Sequence, residues 1–346
     1  ALLAGCTTVG PDFVRPEAET PVDWSESTPD RFETTSQPMA EWWRVFNDPV
    51  LDELVATAHR NNNGVEIAAL RVLEAQAQLG IVTGLQYPQV QAAAGEATWV
   101  SPPDNSVVRN DYWSYGLGAS VSWEIDFWGR YRRGIESAEA AFQASIAAYD
   151  QAMVLLTAAV VENYAIIRTL EEQLRIAHEN LKIQQRSYDI TEVLYRNGSD
   201  SELDMLQANT LLLATQATLP ALNTSLRQAR NAMATLLGEL PGEADGLLAT
   251  PADIPALPAG IAIGFPADML RRRPDVRQAE LLAMAQNAQI GLARADLYPS
   301  FSLTGSIGLS AGGPGDSDFG DLFSSDALGL SIGPSFVWPF LNYGRI

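Results

Sequence analysis

Cysteine occurs once in the 346 residues, at Cys6, so no disulfide can close within the chain and no thiolate zinc site can form. Histidine occurs twice, at His59 and His178. That is too few for a multi-histidine metal centre and leaves a Ser-His-Asp arrangement little to draw on. Lys182 is the only lysine, and 22 basic residues stand against 42 acidic ones, for a net charge of −20. Phosphate backbones are held by clustered lysine and arginine, so nucleic acid is excluded as a partner. No run of 18 consecutive apolar residues is present, so hydropathy offers no transmembrane helix. The inventory suggests no enzyme, no metal and no bound cofactor. The length alone would allow two or three domains.

The first residues run Ala1-Leu2-Leu3-Ala4-Gly5-Cys6-Thr7. A short apolar stretch, small residues and then cysteine resemble the end of a bacterial lipoprotein signal peptide, in which cleavage precedes an acylated cysteine. The expectation is a mature chain starting at Cys6, carrying a covalent N-acyl and diacylglycerol lipid. Each buried methylene contributes about 0.8 kcal/mol, so several acyl chains anchor firmly. Thr7 lacks the acidic side chain associated with inner-membrane retention. A lipid-anchored protein of the bacterial outer membrane, extending into the periplasm, is therefore expected. The rival is a small buried cysteine near a frayed end.

Residues 11–50 are rich in proline, tryptophan and acidic groups and read as an extended segment. Helical spacing follows from Pro49 through Leu51, Leu54, Val55 and Ala58 to Ile67, Leu70 and Leu73. The chain then repeats itself. Residues 60–80 align with 271–291 without a gap, and Leu85-Gln-Tyr-Pro88 matches Asp296-Leu-Tyr-Pro299. Ile125-Asp-Phe-Trp-Gly-Arg130 matches Phe340-Leu-Asn-Tyr-Gly-Arg345. Helix, Tyr-Pro, two strands and aromatic-Gly-Arg thus occur twice, in the same order.

The strands carry the clearest pattern. Trp113, Tyr115, Leu117, Ala119, Val121, Trp123, Ile125 and Phe127 alternate with Ser114, Gly116, Gly118, Ser120, Ser122, Glu124 and Asp126. Residues 301–310 and 328–340 alternate in the same way, while 87–99 alternate less clearly. Membrane strands need about 9–11 residues with lipid-facing and lumen-facing positions alternating, flanked by aromatic girdles. Tyr87, Trp99, Tyr112, Trp113, Trp128, Tyr298, Trp338 and Tyr343 stand where girdles belong, and Ser120, Ser122, Glu124 and Asp126 fall on the lumen side. The rival, a soluble sandwich, usually has shorter strands with charged outer faces. Four strands cannot close a barrel, and open edges in lipid leave backbone groups unpaired. The chain must then oligomerise: two copies give eight strands, three give twelve.

Between the strand pairs, 131–196 lack proline and have glycine only at Gly134. As one helix this stretch spans about 100 Å. A heptad-like seam runs through Ala138, Phe142, Ser145, Tyr149, Ala152, Leu156 and Ala159. A turn at 197–201, with Ser199 or Ser201 as N-cap, leads to a second helix ending near Leu237 that Pro220 should kink or split.

These features together resemble the TolC superfamily, and within it the OprM/NodT-type outer-membrane efflux lipoproteins. They are the lipobox, the Val9–Pro16 leader, the repeated helix-strand-strand unit, Arg272-Arg-Pro-Asp275 and Trp-Gly-Arg. The resemblance implies a mixed α and β fold. Three chains, with four strands each, would form a trimeric 12-stranded transmembrane β-barrel continuous with a long α-helical coiled-coil tunnel. It implies a homotrimer in outer-membrane lipid that conducts drugs or other small solutes passively outward, partnered by a periplasmic adaptor (membrane fusion protein) and an energy-supplying inner-membrane RND transporter. The expected divisions are 1–48 (lipobox and extended segment), 49–84 (first-copy helix), 85–128 (first β-hairpin) and 129–238 (long helical hairpin). Then follow 239–266 (equatorial linker), 267–295 (second-copy helix), 296–343 (second β-hairpin) and 344–346. The second long hairpin of the internal duplication would fall outside this chain. By position, the resemblance assigns Tyr195, Arg196, Ser199, Asp200 and Asp204 at the hairpin tip to the aperture or to adaptor docking.

Rival readings remain at this stage. Glu124 and Asp126 lie about 7 Å apart on one strand face and could serve as a hydrolase pair. A type I protein-secretion exit duct and a soluble coiled-coil scaffold lipoprotein are further alternatives. Arg271-Arg272-Arg273 reads as a helix-start ion-pair cluster rather than an anion site, since Pro274 and Asp275 suit a first turn.

Overall fold

The computed structural model describes residues 8–17, 32–33, 41–103, 110–256, 261–262, 270–313, 318–341 and 344. Cys6, with its expected lipid, and Tyr343 lie outside the described residues. Two compact units form, one within Ala1–Glu17, Arg71–Ile146 and Arg277–Ile346, the other within Ala18–Leu70 and Ala147–Val276.

In chain order the strands are β1 (Phe32–Glu33), β2 (Val90–Val100), β3 (Tyr112–Ile125), β4 (Ile261–Ala262), β5 (Ser300–Gly312) and β6 (Leu328–Val337). The helices are α1 (Pro49–Asn61), α2 (Asn63–Gly84), α3 (Arg130–Arg196), α4 (Glu202–Leu237) and α5 (Pro274–Ala295). The order helix, strand, strand occurs twice, as α2-β2-β3 and α5-β5-β6.

The first unit is built on a four-stranded sheet in the order β2-β3-β5-β6, antiparallel throughout. Its register explains the alternation. Ala94 pairs with Gly118, Gly118 with Gly308 and Gly308 with Gly329; one step along, Ser120 pairs with Ser306 and Ser306 with Ser331. On the other face Trp99 pairs with Trp113, Leu117 with Leu309, Val121 with Gly305 and Phe301 with Phe336. A pleated strand sends successive side chains to opposite faces, so a single register sorts all four strands into one apolar and one small or polar face. Leu117, Val121, Ile307, Leu330, Ile332 and Phe336 are exposed on the apolar face.

Aromatic rings gather at both ends of this sheet. At one end Trp113 meets Trp99 at 5.4 Å and Tyr115 at 6.0 Å, and Tyr115 meets Phe319 at 5.3 Å. At the other, Trp128 stacks on Tyr298 at 4.6 Å and Phe127 meets Phe301 at 5.6 Å. The indoles of Trp128 and Trp338 donate to the carbonyls of Pro299 and Leu297.

In the second unit the core is drawn from Leu51, Leu54, Val55 and Ala58 of α1, Val160, Tyr164 and Ile167 of α3, and Met233, Ala234 and Leu237 of α4. β1 and β4 pair as a short parallel ladder.

Four expectations change. The single helix expected over 49–84 is two helices, because Asn62 is extended and its side chain is doubly engaged. Its Nδ2 donates to the Leu236 carbonyl at 2.9 Å and its Oδ1 accepts from Val65 N at 3.1 Å. Pro220 does not split α4, which runs through it to Leu237. The buried stripe of α3 passes through Arg133, Ser137, Ala140, Ala144 and Ala147 rather than Ala138, Phe142 and Ser145. The heptad step is kept and its phase is shifted over this stretch, while Leu156 of the expected seam is buried. Finally, α3 contains a window apolar enough by composition alone to cross a membrane, which a search for unbroken apolar runs passes over. Val160, Tyr164 and Ile167 of α3 are fully buried within the protein.

Candidate channel lining and hairpin tip

The small and polar face of the sheet holds a surface cleft of about 670 Å³, lined by Ala92, Glu96, Gly118, Ser120, Ser306 and Ser331 among others. Ser306 and Ser331 are hydrogen-bonded at 2.8 Å, and Thr304 donates to the Gly333 carbonyl. Small side chains keep this face open. The four strands contain two charged residues, Glu96 and Glu124, and both stand on it.

The predicted lining residues divide. Ser120 and Ser122 lie on the small and polar face, paired with Ser306 and Thr304. Glu124 shares that face, near the start of α3, and its carboxylate lies 3.6 Å from Arg130. Arg130 also reaches Asp296 at 3.2 Å, tying β3 to the start of β5. Glu124 faces Tyr131 as well. Burial, followed by the Glu124 carboxylate, pushes the Tyr131 phenol up to about 12, so it stays protonated as a donor.

Asp126 departs from expectation. It follows the end of β3, and its carboxylate accepts from Tyr131 N at 3.2 Å, Arg132 N at 3.0 Å and Arg132 Nε at 3.3 Å. It satisfies orphan amides of the first turn of α3 instead of standing free over the sheet face. With Glu124 paired and Asp126 capping, neither carboxylate is poised for hydrolytic work. Glu96 was passed over because its strand is alanine-rich and alternates weakly.

The hairpin tip is a tightly closed turn. Gly198 has φ +72°; its N–H donates to Tyr195 O at 2.9 Å and that of Ser199 to Leu194 O at 2.9 Å. This double bond pattern ends α3 and requires a residue at ease in the left-handed region. Ser201 caps α4 by accepting from Asp204 N at 3.2 Å, and its hydroxyl donates back to the Asp204 carboxylate, holding that group below its usual range. Asp200 accepts from Ser201 N at 3.0 Å. Arg196, 72% exposed, pairs with Glu192 at 2.7 Å. The structure brings Tyr195, Arg196, Ser199, Asp200 and Asp204 onto one turn. Beside them Val193 and Leu203 are exposed, an apolar component that a charge-based reading missed.

The leader is clamped within the first unit. The Arg133 guanidinium, 5% exposed, binds Asp12 at 2.7 Å, Glu136 at 2.6 Å and the carbonyls of Val9 and Gly10. Arg15 pairs with Glu280 at 2.7 Å, and Asn287 donates to Pro11 O. Gly10, at φ +96°, lies so close to Gly291 that a Cβ would stand 2.4 Å from its Cα. Arg273 grips Asp275 with two bonds at 3.0 and 2.7 Å, the ion pair expected at the start of α5.

Comparison with known proteins agrees with this geometry. The family model described as "Outer membrane efflux protein" matches residues 54–239 and 265–346. The chain is 32% identical to nodulation protein T of Rhizobium leguminosarum bv. trifolii, over all of this chain and 72% of that protein. It is 31% identical to the cation efflux system protein CusC of Escherichia coli K12, over 99% of this chain and 73% of that one. Among solved structures, the outer-membrane channel OprN superposes with a TM-score of 0.86 at 35% identity, over 98% of this chain and 74% of that one.

Proposed function

The chain belongs to the outer membrane efflux protein family, and from that premise we propose that it is the outer-membrane exit duct of a tripartite efflux pump. Solutes pass outward through it by passive conduction, with energy supplied by an inner-membrane RND transporter coupled through a periplasmic adaptor. Three copies form the duct. The observation that carries this reading is the four-stranded sheet, sorted into an exposed apolar face and a small or polar face, with aromatic clusters at both ends.

A sheet of this kind in lipid has two open edges, β2 and β6, each costing several kcal/mol per unpaired backbone group. Joining β2 of one copy to β6 of the next removes every edge, and three copies close twelve strands. The repeated helix-strand-strand order supports an internal duplication. The lipid on Cys6 would hold the leader at the membrane, next to the segment that Arg133 clamps. The tip formed by Tyr195, Arg196, Ser199, Asp200 and Asp204 would form part of the aperture and contact the adaptor.

The test uses the full-length gene in its Gram-negative host. Deletion raises intracellular accumulation of a broad efflux dye, restoration lowers it, and a proton-gradient uncoupler abolishes the difference. Unchanged accumulation would exclude general drug efflux and favour metal-ion cargo or type I polypeptide secretion. Cys6→Ser removes palmitate labelling but leaves the protein in the membrane fraction. A soluble coiled-coil scaffold would instead be released.

A further inference from the structure

Among the described residues, Glu96 is the one charge on the small and polar face without a neutralising partner. Glu124 has Arg130 at 3.6 Å and Tyr131 beside it, whereas no ion pair or hydrogen bond engages the Glu96 carboxylate among the described residues. Its cross-strand partner is Gly116, and that position matters. A Cβ on Gly116 would meet Glu96 Cγ at 3.1 Å and Oε1 at 3.2 Å, so the glycine leaves the space that the carboxylate fills. The next residue across the sheet from Gly116 is Ser310. None of the four strands contains lysine or arginine. Among the described residues the lining around Glu96 is alanine, glycine, serine and threonine, with no opposing charge.

We infer that Glu96 contributes to the charge selectivity of the duct, forming a ring of three carboxylates that favours small cations over anions at its level in the β-barrel lumen. This rests on the trimeric barrel reading, with the small and polar face turned inward. The face assignment has its own physical support, since a carboxylate at membrane depth is disfavoured on the lipid side.

Magnitude decides whether three carboxylates matter in so wide a tube. Twelve strands about 4.8 Å apart and tilted about 40° put the backbone roughly 12 Å from the axis. A carboxylate lying over Gly116 stands a few ångströms inside the backbone, roughly 9 Å from the axis, still inside the Debye length of about 10 Å at 0.1 M salt and well inside the 30 Å at 0.01 M. Every ion crossing that level feels all three charges. A several-fold preference for cations follows at low salt, shrinking as salt rises. Asp111, Asp318, Asp321 and Asp326, in the connecting loops, add negative charge beyond the strand ends, so Glu96 is the strongest contributor within the strands and not the sole one.

The test is the reversal potential of the full-length trimer in a planar bilayer under a potassium chloride gradient, at two ionic strengths. Glu96→Gln keeps the side chain's size and should lower the potassium-to-chloride permeability ratio several-fold at low salt, with a smaller change at high salt. Glu96→Lys should move the ratio further, to chloride preference or none. Channels of unchanged conductance whose ratio is the same in wild type and both variants would overturn the role of Glu96 and leave the duct standing. Absence of any ion-conducting channel from correctly assembled wild-type trimers would overturn the duct reading and this inference with it.

Discussion

His59 illustrates how much a single side chain can reveal. Its Nε2 lies 2.8 Å from Thr157 Oγ1, and that hydroxyl already donates to the Met153 carbonyl at 2.8 Å. The threonine oxygen can then only accept, so the ring carries its proton on Nε2 and leaves Nδ1 bare. The Trp43 ring meets the imidazole edge-on at 5.9 Å. Burial pulls the His59 pKa below its ordinary value, favouring the neutral ring. A group whose folded pKa is depressed contributes stability that is present above the unfolded pKa and lost as pH falls through the folded one. His59 therefore destabilises the fold on acidification below about 6.5. His59→Gln should flatten the thermal-midpoint profile of the wild type over that acidic range, and an unchanged pH slope would contradict this. Gly238 is the other decisive residue. Its φ is +69°, and an added Cβ would stand 2.2 Å from the Asn61 carbonyl oxygen. Backbone cannot yield as a flexible side chain does, so Gly238→Ala should cost about 2 kcal/mol or more, seen as a lowered thermal midpoint.

At the scale of elements, the strands and the α3–α4 hairpin were legible because each repeats one physical pattern over many residues. Period-two alternation places β3, β5 and β6, and the absence of proline marks α3 to within a residue of Tyr131 and Arg196. The phase of α3 before Tyr149 was not legible. Its first half is so rich in alanine that several stripes look equally apolar, and Gly291 with Gln289 decides which one is covered. The Asn62 break was equally hidden, since it depends on a carbonyl at Leu236, far away in sequence. The buried polar contacts of α3 were also unpredicted. Arg168, 1% exposed, donates to Glu171 at 2.8 Å and to the Thr250 carbonyl at 3.0 Å, and lies 4.9 Å from the Tyr164 ring centre. Tyr164 in turn donates to Asp48, which caps α1 through Val50 N and Leu51 N. Arg168→Met takes the donor from the Thr250 carbonyl and one of two cationic partners from Glu171, which keeps Arg230 at 2.9 Å, so it should destabilise by about 2 kcal/mol. Equal stability of wild type and Arg168→Met would show that the network carries no net load.

For the whole molecule, the sequence carried its family in the order of its elements more than in any single site. The repeated helix-strand-strand unit, the polar turn and the alternating faces together pointed to an outer-membrane channel, and the family match agrees. The sites were less legible because tube walls and turn tips are built from ordinary serine, glycine and acidic residues. Asp126 looked like lining and caps a helix, while Glu96 looked ordinary and is, among the described residues, the charge on that face without a partner. In the proposed duct one face of the β2-β3-β5-β6 sheet meets water inside a membrane and the other meets lipid. Single cysteines at Ser120, Ser122 and Ser306, and at their opposite-face neighbours Ala119, Val121 and Ile307, test it directly in intact outer membranes of the full-length protein. With a water-soluble, membrane-impermeant maleimide, the first three should label strongly and the second three should remain at background. Labelling of both sets alike, or of the second set alone, would contradict the account.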